Sequence, residues 1–464
     1  LAQERFSSSR KSRLGPIVAV AERFRMTSMT FATWRAPATS PVTLRAPAVG
    51  KAFEPGKAVA VWSEPLLSTL ALTTALGAAT KTGRSQPSRA RRLARRLARL
   101  STSSEAPAYP GVEDPEKMMT FARELCEFYR SSSKARLPVA DVIRILEDSQ
   151  RLFQQEETLV KIEVPSGEYV NVVGDVHGQL FDFLSIFEAN GWPSEKNPFL
   201  FNGDFVDRGS YSVEIMLILL AFKLALPKHF FLSRGNHEEE TMNHYYGFTG
   251  EVLAKYDVEL SVWVAFQRMF MCLPLAHVVN KDVFVTHGGL PRISTELSLE
   301  TINALDRVKV SAQEERTESR DEDIIYNDLM WADPFEGKGI ILSQRGGSAR
   351  MFGSDITEKF LQKNNLSFMI RSHEVKDEGF EWMHNEKCLT VFSAPQYCDS
   401  GDNLGAVVRL HADEAAEGRL RPEIRTFGSA EKPEDYVYAM SYVRATQTLW
   451  PQALQKAGVS FKAS

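Results

Sequence analysis

Five short hydrophobic runs in this chain each end in a turn carrying side chains able to ligate a metal, and this repetition constrains the fold more than any other feature. Tyr169–Val173 leads into Gly174, Asp175, Val176, His177 and Gly178, and Phe199–Phe201 leads into Gly203, Asp204, Phe205, Val206, Asp207, Arg208 and Gly209. Phe230–Leu232 ends in Arg234, Gly235, Asn236, His237 and Glu238. The run 283–285 ends in His287, Gly288 and Gly289, and 368–370 in Arg371, Ser372, His373 and Glu374. Short apolar runs bounded by glycine-rich turns read as buried strands, and a further one covers 389–392. Residues 180–189 and 212–224 between them have helical spacing, so the fold class is α/β, with sheets covered by helices.

Any one of these turns is a weak signal, because Gly-Asp pairs mark ordinary turns and a lone histidine is more often a core or surface residue. Their joint occurrence carries the reading. Four of the nine histidines (His177, His237, His287, His373) stand at strand ends. His229, His244, His277, His384 and His411 lack that setting and read as structural or surface residues. Carboxylate, imidazole and amide oxygen together suit two divalent cations such as Mn, Fe or Zn. Loops after the carboxyl ends of strands are also where open α/β sheets place their sites.

With 43% hydrophobic and 25% charged residues over 464 positions, the chain can bury a sizeable core, which excludes disorder throughout. The cysteines, Cys126, Cys272, Cys388 and Cys398, form no C-x-x-C pair, which argues against a zinc ribbon or dense disulfide framework and for a reducing compartment. The most apolar stretch, 59–80, is interrupted by Glu64, so no transmembrane span is expected.

The net charge of −4 conceals a division: residues 1–104 carry 18 Lys and Arg against 4 Asp and Glu, a net of +14, which leaves −18 for the remainder. Residues 1–113, rich in Ala, Arg, Ser, Thr and Pro, read as a disordered basic leader. Within it, 88–100 has the pattern of a short basic amphipathic helix. A solvated charged face is the plain reading of that helix. A targeting region is the sharper one, because transit sequences are Arg- and Ser-rich and poor in acids. Met26 or Met29 as the start would leave such a leader. A basic surface for nucleic acid or anionic lipid is a third reading of the leader, whereas the −18 remainder speaks against nucleic acid at the core.

Residues 115–154 read as two helices broken at 131–138. Residues 308–323 read as a charged, mobile surface loop, and 429–464 as a C-terminal tail that docks as a packing helix or regulates the site.

The ordered set GDVHGQ, GDFVDRG, RGNHE, HGGL, RSHE and SAPQYC resembles the phosphoprotein phosphatase family of serine/threonine phosphatases over about Asp114 to Leu410, which implies a catalytic domain at 114–428. Within that family FNGDFVDRGSYSVE, MNHYYGFTGEV and MIRSHEVK are most similar to the type 5 branch. Residues 1–113 lack the helical period that the branch's tetratricopeptide repeats need, so chaperone binding is not carried over. The resemblance implies a calcineurin-like metallophosphoesterase fold, a central β-sandwich flanked by helices with a two-metal site at the strand ends. It implies that Asp175, His177 and Asp204 hold one metal and that Asp204, Asn236, His287 and His373 hold the other, Mn first among the candidates and Fe or Zn after it.

The implied reaction is hydrolysis of phosphoserine and phosphothreonine on proteins by a metal-activated water, with His237 as general acid and Asp207 orienting it. Arg208 and Arg345 supply planar charged forks for phosphate oxygens, Asn236 joins them at the substrate, and Tyr397 matches a further contact. Gln396 departs from the family, which usually has Asn there. Phosphoprotein substrates are the implied partners, with regulatory proteins besides, and the compartment is cytoplasmic or nuclear unless the leader directs the chain to an organelle. A relative acting on a dinucleotide such as diadenosine tetraphosphate shares the first four motifs, but RSHE and SAPQYC favour the protein phosphatase. A catalytically dead scaffold is disfavoured because every expected ligand and the acid are present.

Overall fold

Strands that are apolar on both faces must be covered on both sides, and the arrangement of sheets here follows from that requirement. The computed structural model describes residues 105–313, 316–413 and 419–458, so residues 1–104, with the basic helix expected at 88–100, lie outside the described residues. Residues 105–113 depart from the disordered leader expected of them: Tyr109 is buried in the core and its hydroxyl donates to Asp148 Oδ2 at 2.7 Å, an apolar anchor that composition alone did not weigh. Fourteen strands occur among them: β1 (Leu159–Ile162), β2 (Tyr169–Val173), β3 (Phe199–Phe201), β4 (Phe230–Leu232), β5 (Ala276–Val279), β6 (Val283–Thr286), β7 (Asp333–Pro334), β8 (Ile340–Leu342), β9 (Arg350–Phe352), β10 (Phe368–Arg371), β11 (Phe380–Met383), β12 (Cys388–Val391), β13 (Gly405–Ala412) and β14 (Leu420–Phe427).

One sheet has the order β14-β13-β2-β3-β4, its last three strands parallel and β13 antiparallel to both neighbours. A second has the order β1-β5-β6-β10-β12-β11, with β6, β10 and β12 mutually parallel. The two sheets share one apolar layer: Val170, Val172, Leu200 and Val408 from the first meet Val283, Val285, Ile370 and Leu389 from the second. Side chains of alternate residues, such as Val173, Phe199 and Phe201, face the other way and join a core built with helices. On the far side of the second sheet, Phe284, Met369 and Cys388 pack with Leu329, Met330 and Phe360. The result is the expected sandwich with helices on both outer faces.

Local chemistry explains the helix boundaries. Asp114 caps the helix Pro115–Ser131 by accepting the N–H groups of Glu116 and Lys117, and Pro115 occupies its first turn, where no N–H partner is needed. Val139–Gln154 follows after the break. Ser212–Ala225, covered on every side, reads apolar almost throughout and buries its one lysine, Lys223, against Glu156 and the Pro227 carbonyl oxygen. No helix among the described residues is long and apolar enough to cross a membrane.

The stretch 308–323 departs from the mobile loop expected of it. Its first part belongs to the helix Arg307–Ser311 with Val310 fully buried, while Arg316 pairs with Glu239 and lies 5.0 Å over the Tyr326 ring. The high charge that suggested a loop is instead spent on specific ion pairs. At the C-terminal end, Val443–Lys456 packs on Phe248–Lys255, with Trp450 meeting Trp263 at 4.9 Å between ring centroids.

Candidate metal centre

The carboxyl ends of β2, β3, β4, β6 and β10 converge where the two sheets meet. Asn202, just after β3, ties them together: its amide donates to the Thr286 carbonyl oxygen at 2.8 Å and to Ser372 Oγ at 2.9 Å, and its own carbonyl faces His287 Nδ1 at 2.8 Å. Ser393 closes the other flank, accepting the Gly174 N–H at 2.8 Å and donating to the Ala406 carbonyl oxygen at 2.6 Å. The backbone in these turns is unusual. His177, Asp204, Asp207, Arg208 and His373 all have positive φ, between 38° and 72°, a conformation that costs on the order of 1–3 kcal/mol each and persists where surroundings enforce it.

Glu238 is one enforcer. Its carboxylate accepts the N–H groups of Asp204 at 2.8 Å, Phe205 at 2.8 Å and Gly235 at 2.9 Å. The close approach of these turns also demands glycine: at Gly203, with φ +90°, a Cβ would lie 2.6 Å from the Gly235 nitrogen and 2.8 Å from His287 Nδ1.

Six expected ligands stand together and all are buried: Asp175, His177, Asp204, Asn236, His287 and His373. Their donor atoms divide into two groups sharing Asp204. His177 Nε2 lies 3.6 Å from Asp175 Oδ2 and 3.5 Å from Asp204 Oδ2. His287 Nε2 lies 3.3 Å from Asp204 Oδ1, 3.1 Å from Asn236 Oδ1 and 3.2 Å from His373 Nδ1.

These are mostly acceptors aimed at one another rather than at donors. Asp175 Oδ2 has no hydrogen-bond partner although it is buried, and the Asn236 oxygen faces only acceptor atoms. A cluster of this kind fits cations at its centre, since each lone pair then finds a positive charge. Burial holds His177 down at about 3 and His373 well below the ordinary histidine range, so both imidazoles are neutral, as ligation requires. Burial also raises Asp175 to about 7. Burial opposes charge on His287 too, but Asp204 and Asp175 outweigh it and lift it to about 9, so a cation held there would displace a proton from this imidazole.

His237 sits beside this cluster, its ring centroid 4.8 Å from that of His177. Its Nδ1 faces Asp207 Oδ2 at 2.7 Å, which assigns the Nδ1 proton to that bond and leaves Nε2 toward the site. Arg208 stacks at 3.8 Å over the Tyr246 ring, and its Nε, buried, has no partner in the chain. Arg345 is more open; its fork rests on Asp333 at 2.6 Å and on the His373 carbonyl oxygen at 3.2 Å. Tyr397 places its ring 5.2 Å from that of His177. Gln396, beside it, is exposed and adopts φ 47°, the left-handed region in which Asn is better tolerated.

All eleven expected site residues therefore meet at one end of the sandwich. Three residues with positional roles went unassigned in the sequence. Glu238 was visible inside RGNHE but carried no role. Asp333 divides its carboxylate between Arg345 and the buried Arg371, 2.8 Å away. Asn243 donates to the His237 carbonyl oxygen at 2.6 Å and to Asp207 Oδ2 at 3.2 Å. The other histidines are elsewhere: His277 faces Ser233 at 3.1 Å, His384 faces Thr357 at 2.8 Å, and His411 faces Glu423 at 2.7 Å.

Residues 169–377 match the family model for calcineurin-like phosphoesterases. The chain is 43% identical over 345 residues to serine/threonine-protein phosphatase 5 of Arabidopsis thaliana, covering 73% of this chain and 60% of that protein. It is 41% identical over 333 residues to the Homo sapiens protein of the same name, covering 72% and 62%. It thus spans about three fifths of the length of these curated relatives. A solved Saccharomyces cerevisiae protein serine/threonine phosphatase, described as similar to human phosphatase PP5, superimposes with a TM-score of 0.61 at 37% identity, covering 71% of this chain and all of that one.

Proposed function

This chain belongs to the calcineurin-like phosphoesterases, in the phosphoprotein phosphatase family's type 5 branch, and from that premise we propose that it hydrolyses phosphoserine and phosphothreonine on proteins. The observation that carries the reading is the buried donor cluster centred on Asp204, with a carboxylate-oriented histidine and two arginines at its rim. Divalent ions fit that cluster, Asp175, His177 and Asp204 holding one and Asp204, Asn236, His287 and His373 the other; Mn is the first candidate, and Fe and Zn suit the same ligands. When bound, such ions act as Lewis acids toward the phosphoryl oxygens and make water a nucleophile near neutral pH.

The chain's own residues do the rest. Arg208 and Arg345 bind the phosphoryl oxygens with planar forks, and Arg208 Nε has its hydrogen-bonding capacity still available. His237 stands where a proton can pass from Nε2 to the departing serine or threonine oxygen, which otherwise leaves as a poor alkoxide. Asp207 fixes that ring through Nδ1, while burial holds the imidazole's pKa down at about 4. Tyr397 and Phe392, whose rings meet at 5.2 Å, wall the His177 side.

Residues 114–428 are the catalytic domain in this reading, joined by 105–113 through the buried Tyr109, with the residues before them a leader and 429–464 a tail. The four cysteines are free thiols, which suits a cytoplasmic or nuclear compartment, with the basic leader as the route to an organelle. Phosphoproteins are the substrates, and regulatory proteins select among them.

The test is a comparison of substrates. Full-length chain reconstituted with Mn is offered a phosphoserine peptide and diadenosine tetraphosphate in competition. The proposal expects peptide turnover; turnover of the dinucleotide alone moves the chain to small-molecule hydrolysis, and turnover of neither leaves a binding scaffold.

A further inference from the structure

The small third sheet has the order β7-β9-β8, which leaves β8 at its edge. β8 is apolar, Ile340, Ile341 and Leu342, and two of its side chains are in water: Ile341 is 44% exposed and Leu342 71%. Leu342 is the most exposed large hydrophobic residue among the described ones. An uncovered apolar edge strand is a ready template for another strand, and proteins normally blunt such edges with charge, proline or a covering loop. Nothing of that kind stands within β8.

The hydrogen bonds show which way its backbone faces. The Gly353 N–H donates to the Gly339 carbonyl oxygen at 2.8 Å and the Ser343 N–H to the Ala349 carbonyl oxygen at 3.2 Å. In the antiparallel register Ile341 faces Met351. Residues 339, 341 and 343 therefore bond inward to β9, and by alternation the N–H and C=O groups of Ile340 and Leu342 point outward, away from the sheet.

This edge leads straight to the candidate centre. Arg345 lies three residues beyond Leu342, and its guanidinium donates to the carbonyl oxygen of the ligand His373 at 3.2 Å. Arg345 stands in the turn that carries β8 into β9, and three residues of chain reach at most roughly 10 Å, so its backbone lies within that distance of Leu342 and of a strand paired there. From this continuity we infer that the β8 edge is a docking strand for the substrate protein itself: an extended segment with apolar side chains three to five residues from the phosphoserine adds to β8 and delivers the phosphate to Arg345. The inference rests on the phosphatase reading and names what that site recognises beyond phosphate.

The experiment uses the full-length chain with Mn, p-nitrophenyl phosphate as a small phosphoester, and phosphoserine peptides. In one pair of peptides two valines or leucines stand three to five residues before or after the phosphoserine; in a control of equal composition they are scattered to the ends. Variants are Leu342→Asp, which charges the exposed face, and Leu342→Pro, which removes the outward N–H without touching a β9 hydrogen bond.

At least one clustered peptide is expected to have a KM fivefold or more below the control. Both variants are expected to raise its KM to the control value, with p-nitrophenyl phosphate turnover and the thermal midpoint unchanged. Equal KM values for clustered and scattered peptides overturn the inference, as does a KM that neither variant moves. A change confined to the sedimentation mass, with peptide KM unaffected, assigns the edge to a second copy of the chain and also overturns it. Absence of p-nitrophenyl phosphate turnover by the unaltered chain overturns the phosphatase reading instead.

Discussion

Asp207 grips His237 from one side and the backbone from the other: its Oδ2 lies 2.7 Å from His237 Nδ1, while its Oδ1 accepts the Phe248 N–H at 2.9 Å. A carboxylate held at both oxygens cannot turn, so the imidazole keeps one orientation and one tautomer. Asp207→Asn preserves the size and loses both. The expected outcome is a fall in kcat of roughly 10²-fold on a phosphoserine peptide, with KM within threefold, since general acid–base catalysis contributes about 10²–10⁴-fold. Steady-state kinetics check it; an unchanged kcat counts against the assigned acid.

Arg345 tests the phosphate grip. Its fork donates to Asp333 at 2.6 Å and reaches the His373 carbonyl oxygen, a geometry that a lysine ammonium cannot reproduce. Arg345→Lys is expected to raise KM for a phosphopeptide roughly tenfold, about 1.4 kcal/mol of binding, with a smaller change in kcat. Loss of kcat alone points to a role in chemistry and not in binding.

How much of this was legible in the sequence depends on distance along the chain. β2, β3 and β4 could be placed to the residue because each is a short run, apolar but for Asn171 in β2, ending in a glycine turn, and their ligands follow within four residues. β13 and β14 escaped notice because their alternation is broken by Arg409 and His411 in one and by a polar outer face in the other. Arg409 is buried there because it stacks 3.9 Å over the Tyr169 ring, a partner 240 residues away. Asp333 was invisible for the same reason, since nothing near it in sequence foretells two arginines converging from 345 and 371. The stretch 308–323 misled because charge was counted without its partners. Arg316 closes on Glu239, 77 residues earlier.

Metal binding has a readout independent of turnover. A ligand that binds only the folded chain stabilises it by about 2.7 kcal/mol when present at a hundred times its Kd. Chelator-treated protein titrated with Mn is expected to show a rising thermal midpoint, and Asp204→Asn, which alters the carboxylate shared by both donor groups, is expected to abolish most of that rise. A full Mn-dependent shift in that variant contradicts the shared-ligand assignment.

His277 sets part of the acid sensitivity. Burial, reinforced by Lys223 and Arg307, holds its pKa at about 3 against an ordinary 6.5, and it faces Ser233 at 3.1 Å. Between those values the unfolded chain takes up a proton that the folded chain refuses, so this residue removes stability as pH falls below 6.5 and contributes no slope above it. At pH 5 the loss is about 2 kcal/mol. Urea unfolding at pH 7 and pH 5 checks it: the difference is expected to shrink by that amount in His277→Gln, and an identical difference in both proteins refutes the assignment.

The account stands most directly on His237. Its measurement is kcat for a phosphoserine peptide, using Mn-reconstituted full-length chain against His237→Ala with metal content matched. The account predicts a loss of about 10²–10⁴-fold in the variant, with the Mn-dependent thermal shift retained. Turnover within threefold of the unaltered chain would contradict the acid role, and with it the mechanism built around this site.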